Sequence, residues 1–107
     1  DAAIEAYKKA AELDPTFVQV GFNAGVCLNS KAVELKDKLS DKNTGKITTE
    51  NANKVIAVLK DALGYMEKAK ELDPNQEKVK WGYPMYQIYY NMGDKAKIAE
   101  YEKLLNN

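Results

Sequence analysis

Residues 41–50 read Asp-Lys-Asn-Thr-Gly-Lys-Ile-Thr-Thr-Glu, the residue types of a calcium-binding loop. Such a loop needs oxygen ligands at its first, third and fifth positions, Gly at the sixth for the sharp turn and a bidentate Glu at the twelfth. With Asp41 first, Gly45 comes one place early and Glu50 two places early. The cage would lack one oxygen and its bidentate end, so the segment is expected to be a structural turn. Cys27 is the only thiol. A reactive thiolate wants a positive, partly open setting. None is evident around Cys27, which reads as a small buried residue. Glu71 with Asp73, and Glu100 with Glu102, stand two apart, so on a helix they do not face each other and cannot act as a pair. The chain has no His, which removes His-based metal sites and the usual Ser-His and Cys-His nucleophile pairs. No Gly-rich phosphate loop is present. These residues predict no catalysis, no metal and no cofactor. What remains is an aromatic cluster: Trp81, Tyr83, Tyr86, Tyr89 and Tyr90. Tyr and Trp join a large apolar ring to a polar tip, which suits them to interfaces.

The composition narrows the partners. Of 107 residues, 45% are hydrophobic, enough for one folded domain. Sixteen basic and sixteen acidic side chains cancel, and every basic one is Lys. Without a basic field or the bidentate fork of Arg, nucleic acid is not an expected partner. No run of about 18 apolar residues is present, so no membrane span is expected. One Cys does not choose between cytoplasm and periplasm. The chain opens inside a helical pattern without Met, and the reading expects a piece of a longer protein.

The elements that position the aromatic cluster are announced by a repeat. Residues 7–15 read Tyr-Lys-Lys-Ala-Ala-Glu-Leu-Asp-Pro, and residues 66–74 read Met-Glu-Lys-Ala-Lys-Glu-Leu-Asp-Pro. Ala3 aligns with Ala62, Tyr7 with Met66, Ala10 with Ala69 and Pro15 with Pro74, at a constant offset of 59. Small, bulky and small side chains then line one helical stripe, where two Ala residues let a neighbour approach and the bulky residue fills the gap. Asp-Pro stops the helix, and Pro opens the next one well.

This pattern resembles the tetratricopeptide repeat, a helix-turn-helix unit of about 34 residues. After Pro15, Ala24-Gly25 and Leu28 fall where that family has Leu-Gly and Tyr. After Pro74, Met85-Tyr86 and Tyr89 fill the same slots, and residues 91–94 are similar to its short turn between paired helices. The resemblance covers nearly the whole chain and implies a fragment of a bacterial-type member with one elongated repeat. It implies an all-α fold, an α-α superhelix or solenoid of about five antiparallel helices with the middle hairpin elongated. Residues 1–14 would be the closing helix of one repeat, 16–74 the elongated repeat and 76–107 the terminal one. The middle repeat exceeds the family's length by about 25 residues. The last helix carries Ile98, Tyr101, Leu104 and Leu105 in place of an Ala-aromatic-Ala stripe, as fits a helix with no successor.

The expected helices run from Asp1 to Leu13, Thr16 to Leu39, Glu50 to Leu72, Gln76 to Asn91 and Lys95 to Leu105. The first is expected to expose an apolar face. Close packing by a neighbouring helix is expected at Gly21 and Gly25. Thr49 before Glu50 reads as a helix start. Leu35, Leu39, Val55 and Ile47 would close the tip of a hairpin projecting by about two turns. Pro84 would kink the fourth helix or delay its start to near Tyr83.

The resemblance also assigns faces. Repeat packing would use Ala3, Tyr7, Ala10, Ala24, Gly25, Leu28, Ala62, Met66, Ala69, Tyr86 and Tyr89. In this family the other face of each repeat's first helix lines a concave groove, which here would hold Tyr83, Gln87, Tyr90 and Asn91 from one helix and Gln19, Phe22, Val26, Asn29 and Ser30 from the other. Phe22 and Val26 stand where one subtype grips a carboxylate with Lys and Asn, so that mode is not expected. An extended or helical peptide with apolar anchors suits such a groove. The function implied is a non-catalytic scaffold that binds a protein or peptide. The alternatives are an architectural or oligomerisation segment, joined through the exposed first helix or the long hairpin, and a helical-repeat support for a solute-binding or enzyme domain.

Overall fold

The computed structural model describes residues 2–106 and is all-α. Five helices follow one another: α1 (Ala2–Leu13), α2 (Val18–Leu39), α3 (Thr49–Leu72), α4 (Gly82–Met92) and α5 (Lys95–Leu105). The expected start at Asp1 and the last residue of the expected terminal repeat, Asn107, lie outside the described residues. The Cα atoms fill 43 × 35 × 16 Å, so each helix keeps a face for solvent.

The central hairpin is the core. Val18, Gly25, Leu28 and Ala32 of α2 face Val55, Leu59, Ala62, Met66 and Ala69 of α3 and are buried. Both stripes repeat at alternating steps of three and four, which keeps one seam toward the partner. Burying a side chain as large as Leu59 or Met66 stabilises the fold by about 1.5–3 kcal/mol. Gly25 allows the approach: a Cβ there would lie 2.8 Å from Met66 Cε and 3.2 Å from the Ala62 carbonyl oxygen. At Gly21 a Cβ would make only an ordinary 4.0 Å contact with the Tyr65 ring, so this glycine is not required by packing. Gly21 faces Tyr65 while Gly25 faces Ala62, so the two helices run antiparallel. Leu35, Leu39 and Ile47 pack against the core cluster beside buried Val55 and close the tip as expected.

The helix ends follow from local chemistry. Pro15 and Thr16 form a turn held by the Asp14 carboxylate, which accepts the Thr16 N–H and hydroxyl; α2 therefore starts at Val18, two residues later than expected. The cap of α3 is Thr48, whose hydroxyl accepts the Asn51 N–H at 3.2 Å. Thr49 is the first helical residue, a shift of one from the expected start. Gly93, at φ 76°, ends α4, and the Asp94 N–H returns to the Tyr89 carbonyl. Asp94 then caps α5 by accepting the Lys97 N–H.

The fourth helix begins at Gly82, not Gln76. Pro84 sits in its first turn, where a missing N–H costs no helical bond. The Asp73 carboxylate holds the preceding segment by accepting the N–H groups of Glu77, Lys78 and Val79 at 2.8–3.0 Å. Those bonds keep its carboxyl below the usual carboxylate range, that from Val79 most of all. The Asp73 carbonyl accepts Trp81 Nε1 at 2.7 Å, and the Gln76 side chain accepts the Gly82 N–H.

One packing residue is misplaced by the repeat alignment. Ala3 is exposed and its neighbour Ile4 is buried. The contact stripe of α1 runs through Ile4, Tyr7, Lys8 and Ala11, because burying Ile removes more apolar area from water than burying Ala. Tyr7 and Ala10 are half-buried, whereas their counterparts Met66 and Ala69 are buried. The Lys8 ammonium meets the Asp61 carboxylate of α3 at 2.7 Å; both are partly exposed, so the pair contributes little. Ala24, Gly25, Leu28, Ala62, Met66, Ala69 and Tyr89 are buried as expected.

Candidate functional site

Two stretches of this highly charged chain carry no charge at all. Residues 15–30 contain no Lys, Asp or Glu, and neither do residues 81–93. They supply the first half of α2 and the whole of α4, and these helices touch. Asn91 Nδ2 donates to Asn29 Oδ1 at 3.4 Å across the contact. At the other end, Lys78 shares a shallow depression with Phe17, Val18 and Gln19. The two helices therefore run in the same direction, side by side. This paired absence of charge was readable in the sequence but is not a motif, and it acquires meaning only because the fold brings the two stretches together.

The outer surface of α4 is a row of tyrosines. Tyr83 is 57% exposed and Tyr90 63% exposed. Tyr86, expected in the packed interior, is half-buried against the core cluster and lies between them. Its ring centroid is 6.4 Å from that of Tyr83 and 6.2 Å from that of Tyr90. Positions 83, 86 and 90 are three and four apart, so they share one helical stripe. Gln87 and Asn91 are half-buried beside the row.

On α2 the expected groove residues divide. Gln19, Val26 and Ser30 are exposed, and Phe22 is half-buried against the core cluster. Gln19 Nε2 donates to Asn23 Oδ1. Asn29 is only 8% exposed, so it belongs to the helix contact and not to an open lining. Its amide oxygen accepts the Asn91 N–H, which offsets a burial that would otherwise be costly.

The rest of the aromatic cluster is structural. Tyr89 and Tyr101 are buried with ring centroids 5.2 Å apart. Burial pushes the Tyr89 hydroxyl up to about 12. Lys70 donates to the Tyr101 hydroxyl at 3.0 Å and lies 5.3 Å from the centroids of both the Trp81 and Tyr101 rings. The hydrogen bond to Tyr101 raises its ammonium above the usual Lys value.

A second surface lies elsewhere. Ala11, Phe17, Val18, Gly64, Tyr65 and Leu72 are among the residues around a depression of about 290 Å³ between α1, α2 and α3. Leu13, 81% exposed, and exposed Phe17 and Leu72 are at this end of the molecule. Of the three, only Leu13 belongs to the first helix, which was expected to expose an apolar face.

The tip segment has its own oxygen accounting. The Asp41 carboxylate accepts the N–H groups of Asn43 and Thr44, and Gly45 adopts φ 72°. The bond from Thr44, and then that from Asn43, lowers the Asp41 carboxyl from its ordinary value. The acid thus acts as a turn-former. Cys27 is half-buried against the core, less covered than expected. Among the described residues no three His, Cys, Asp or Glu side chains come together as a metal site, and no helix is long and apolar enough to cross a membrane. Compared with protein-family profiles, curated proteins and solved structures, the chain has no match in any of the three.

Proposed function

We propose that this chain is a tetratricopeptide-type interaction module whose α2–α4 face binds a protein or peptide, without catalysis. One observation carries the reading: the two charge-free stretches of the sequence meet on one face, and the rings of Tyr83 and Tyr90 remain open there. Exposed tyrosine offers apolar area and a hydrogen bond at small cost in side-chain entropy. Paired rigid helices present it with little ordering on binding. Capture from source-cell lysate, compared between the native protein and a folded Tyr83→Ala/Tyr90→Ala variant, tests it. A partner held by the first and lost by the second supports the reading. A partner held equally by both moves recognition off this face.

A second reading rests on Phe17 and Leu72, which line the depression between α1, α2 and α3, and on exposed Leu13, which lies in the chain between its lining residues Glu12 and Pro15. An apolar patch of this kind suits an architectural contact. Sedimentation equilibrium separates the two: self-association abolished by Leu13→Asp favours architecture, and a monomer at all concentrations opposes self-assembly through this end.

A further inference from the structure

We propose that the occupant of the α4 face is a neutral, proline-rich segment in the polyproline II conformation. This rests on the proposed binding role of that face and specifies the chemistry of its partner. Three features of the surface argue for it together.

The first is spacing. Tyr83 and Tyr90 stand two helical turns apart, about 10.5 Å along the axis. A polyproline II helix repeats every three residues, about 9.3 Å. A peptide lying along α4 would set prolines three apart on Tyr83 and Tyr90, the difference of about 1.2 Å falling within the reach of the exposed rings. Tyr86, whose ring lies 6.4 Å and 6.2 Å from theirs, would support the turn between.

The second is hydrogen bonding. A polyproline II segment has no internal hydrogen bonds, so its carbonyl oxygens are free acceptors. The row supplies the matching donors: the tyrosine hydroxyls and the Gln87 amide. A helical ligand has its carbonyls already bonded and would leave these donors without partners.

The third is shape and charge. An amphipathic helix seeks a recessed apolar groove for anchors on successive turns. Tyr83, Tyr86 and Tyr90 line neither of the two depressions described above. The tyrosine row presents the exposed rings of Tyr83 and Tyr90 on either side of half-buried Tyr86, the kind of surface on which proline rings stack. No charge occurs in residues 81–93 or 15–30, so a charged ligand gives up hydration there and finds no counter-charge within either stretch. A proline-rich segment brings no charge to desolvate.

The experiment has two arms. In the first, an oligoproline peptide of about ten residues, labelled at its N-terminus, is titrated by fluorescence anisotropy against the native chain, Tyr83→Ala and Tyr90→Ala. The expected result is saturable binding that changes little between low and high salt and weakens at least about tenfold in each variant. Thermal melts verify that both variants are folded, and Tyr90→Phe, which keeps the ring, retains more binding than Tyr90→Ala. In the second arm, random dodecapeptides are selected on the native chain and counter-selected on the double variant. Enrichment of prolines three apart supports the proposal. Tyrosine-dependent peptides that lack proline overturn it while leaving the binding face in place. No tyrosine-dependent peptide at all overturns both the proline-rich ligand and the peptide-binding reading of this face.

Discussion

Trp81 donates its indole N–H to the backbone carbonyl of Asp73 at 2.7 Å, and the carboxylate of the same Asp73 collects three backbone N–H groups of the segment between them. One residue thus ends α3 and sets where α4 can begin. The buried Trp81 ring then anchors the start of α4, the helix that carries Tyr83, Tyr86 and Tyr90.

Asp73→Asn is therefore expected to lower the melting temperature at pH 7, because the amide turns an N–H group toward backbone donors. The native protein should also lose stability in acid. The folded carboxyl is depressed, so its contribution is complete above the ordinary value of 3.8 and is lost as pH falls through the folded value. A melting series from pH 7 to pH 2 on both proteins checks this. A native curve as acid-resistant as that of Asp73→Asn would oppose the assignment.

Gly25→Leu should overpack the α2–α3 seam and cost about 1–3 kcal/mol. Met66 Cε can swing aside, but the Ala62 carbonyl oxygen cannot. Gly64→Ala is the contrasting test: a Cβ there meets nothing within 4 Å, so the substitution should gain up to about 1 kcal/mol from helix propensity. Urea denaturation of the two variants reads both signs, and equal behaviour at the two glycines would refute the seam.

The tyrosines should separate by substitution. Tyr89→Ala removes a buried ring and should cost about 3–5 kcal/mol. Tyr83→Ala and Tyr90→Ala should each stay within about 0.5 kcal/mol of the native protein. A large loss at Tyr83 or Tyr90 would make the exposed row a structural feature.

Alkaline titration isolates Tyr89 further. Its folded hydroxyl is pushed up to about 12 from an ordinary value of 10.0. A group raised on folding contributes stability that is present below the unfolded value and is lost as pH rises through the folded one, here between 10 and about 12. Absorbance near the tyrosinate band should show a late-ionising tyrosine that disappears in Tyr89→Phe.

Calcium at millimolar level, or a chelator, should leave the melting curve unchanged, because the Asp41 carboxylate is already engaged with the Asn43 and Thr44 N–H groups. A rise of several degrees with calcium would make the tip a metal site.

The sequence by itself determined the helices, because their signals are local. The stripe Val55, Leu59, Ala62, Met66 and Ala69, the stop at Asp73-Pro74 and the turn at Gly93-Asp94 act within a few residues along the chain. The bounds of α5 were legible to the residue for that reason. Side-chain placement across helices was less so. The repeat put Ala3 opposite the role of Ala62, but α1 rotates to bury Ile4, a choice made by the surfaces of α2 and α3. Gln76 reads as the start of a helix, yet Asp73 captures the backbone that follows. Tyr86 fits a packing slot by spacing and is packed against the core cluster, but its ring also stacks on Tyr83 and tilts against Tyr90, which spacing alone did not show. Above all, the two charge-free stretches are 50 residues apart from the end of one to the start of the next, and only the hairpin of α2 and α3 folds them side by side. Local sequence sets backbone conformation through sterics and hydrogen bonds to near neighbours; a shared surface needs distant segments in contact, and that is a property of tertiary packing alone.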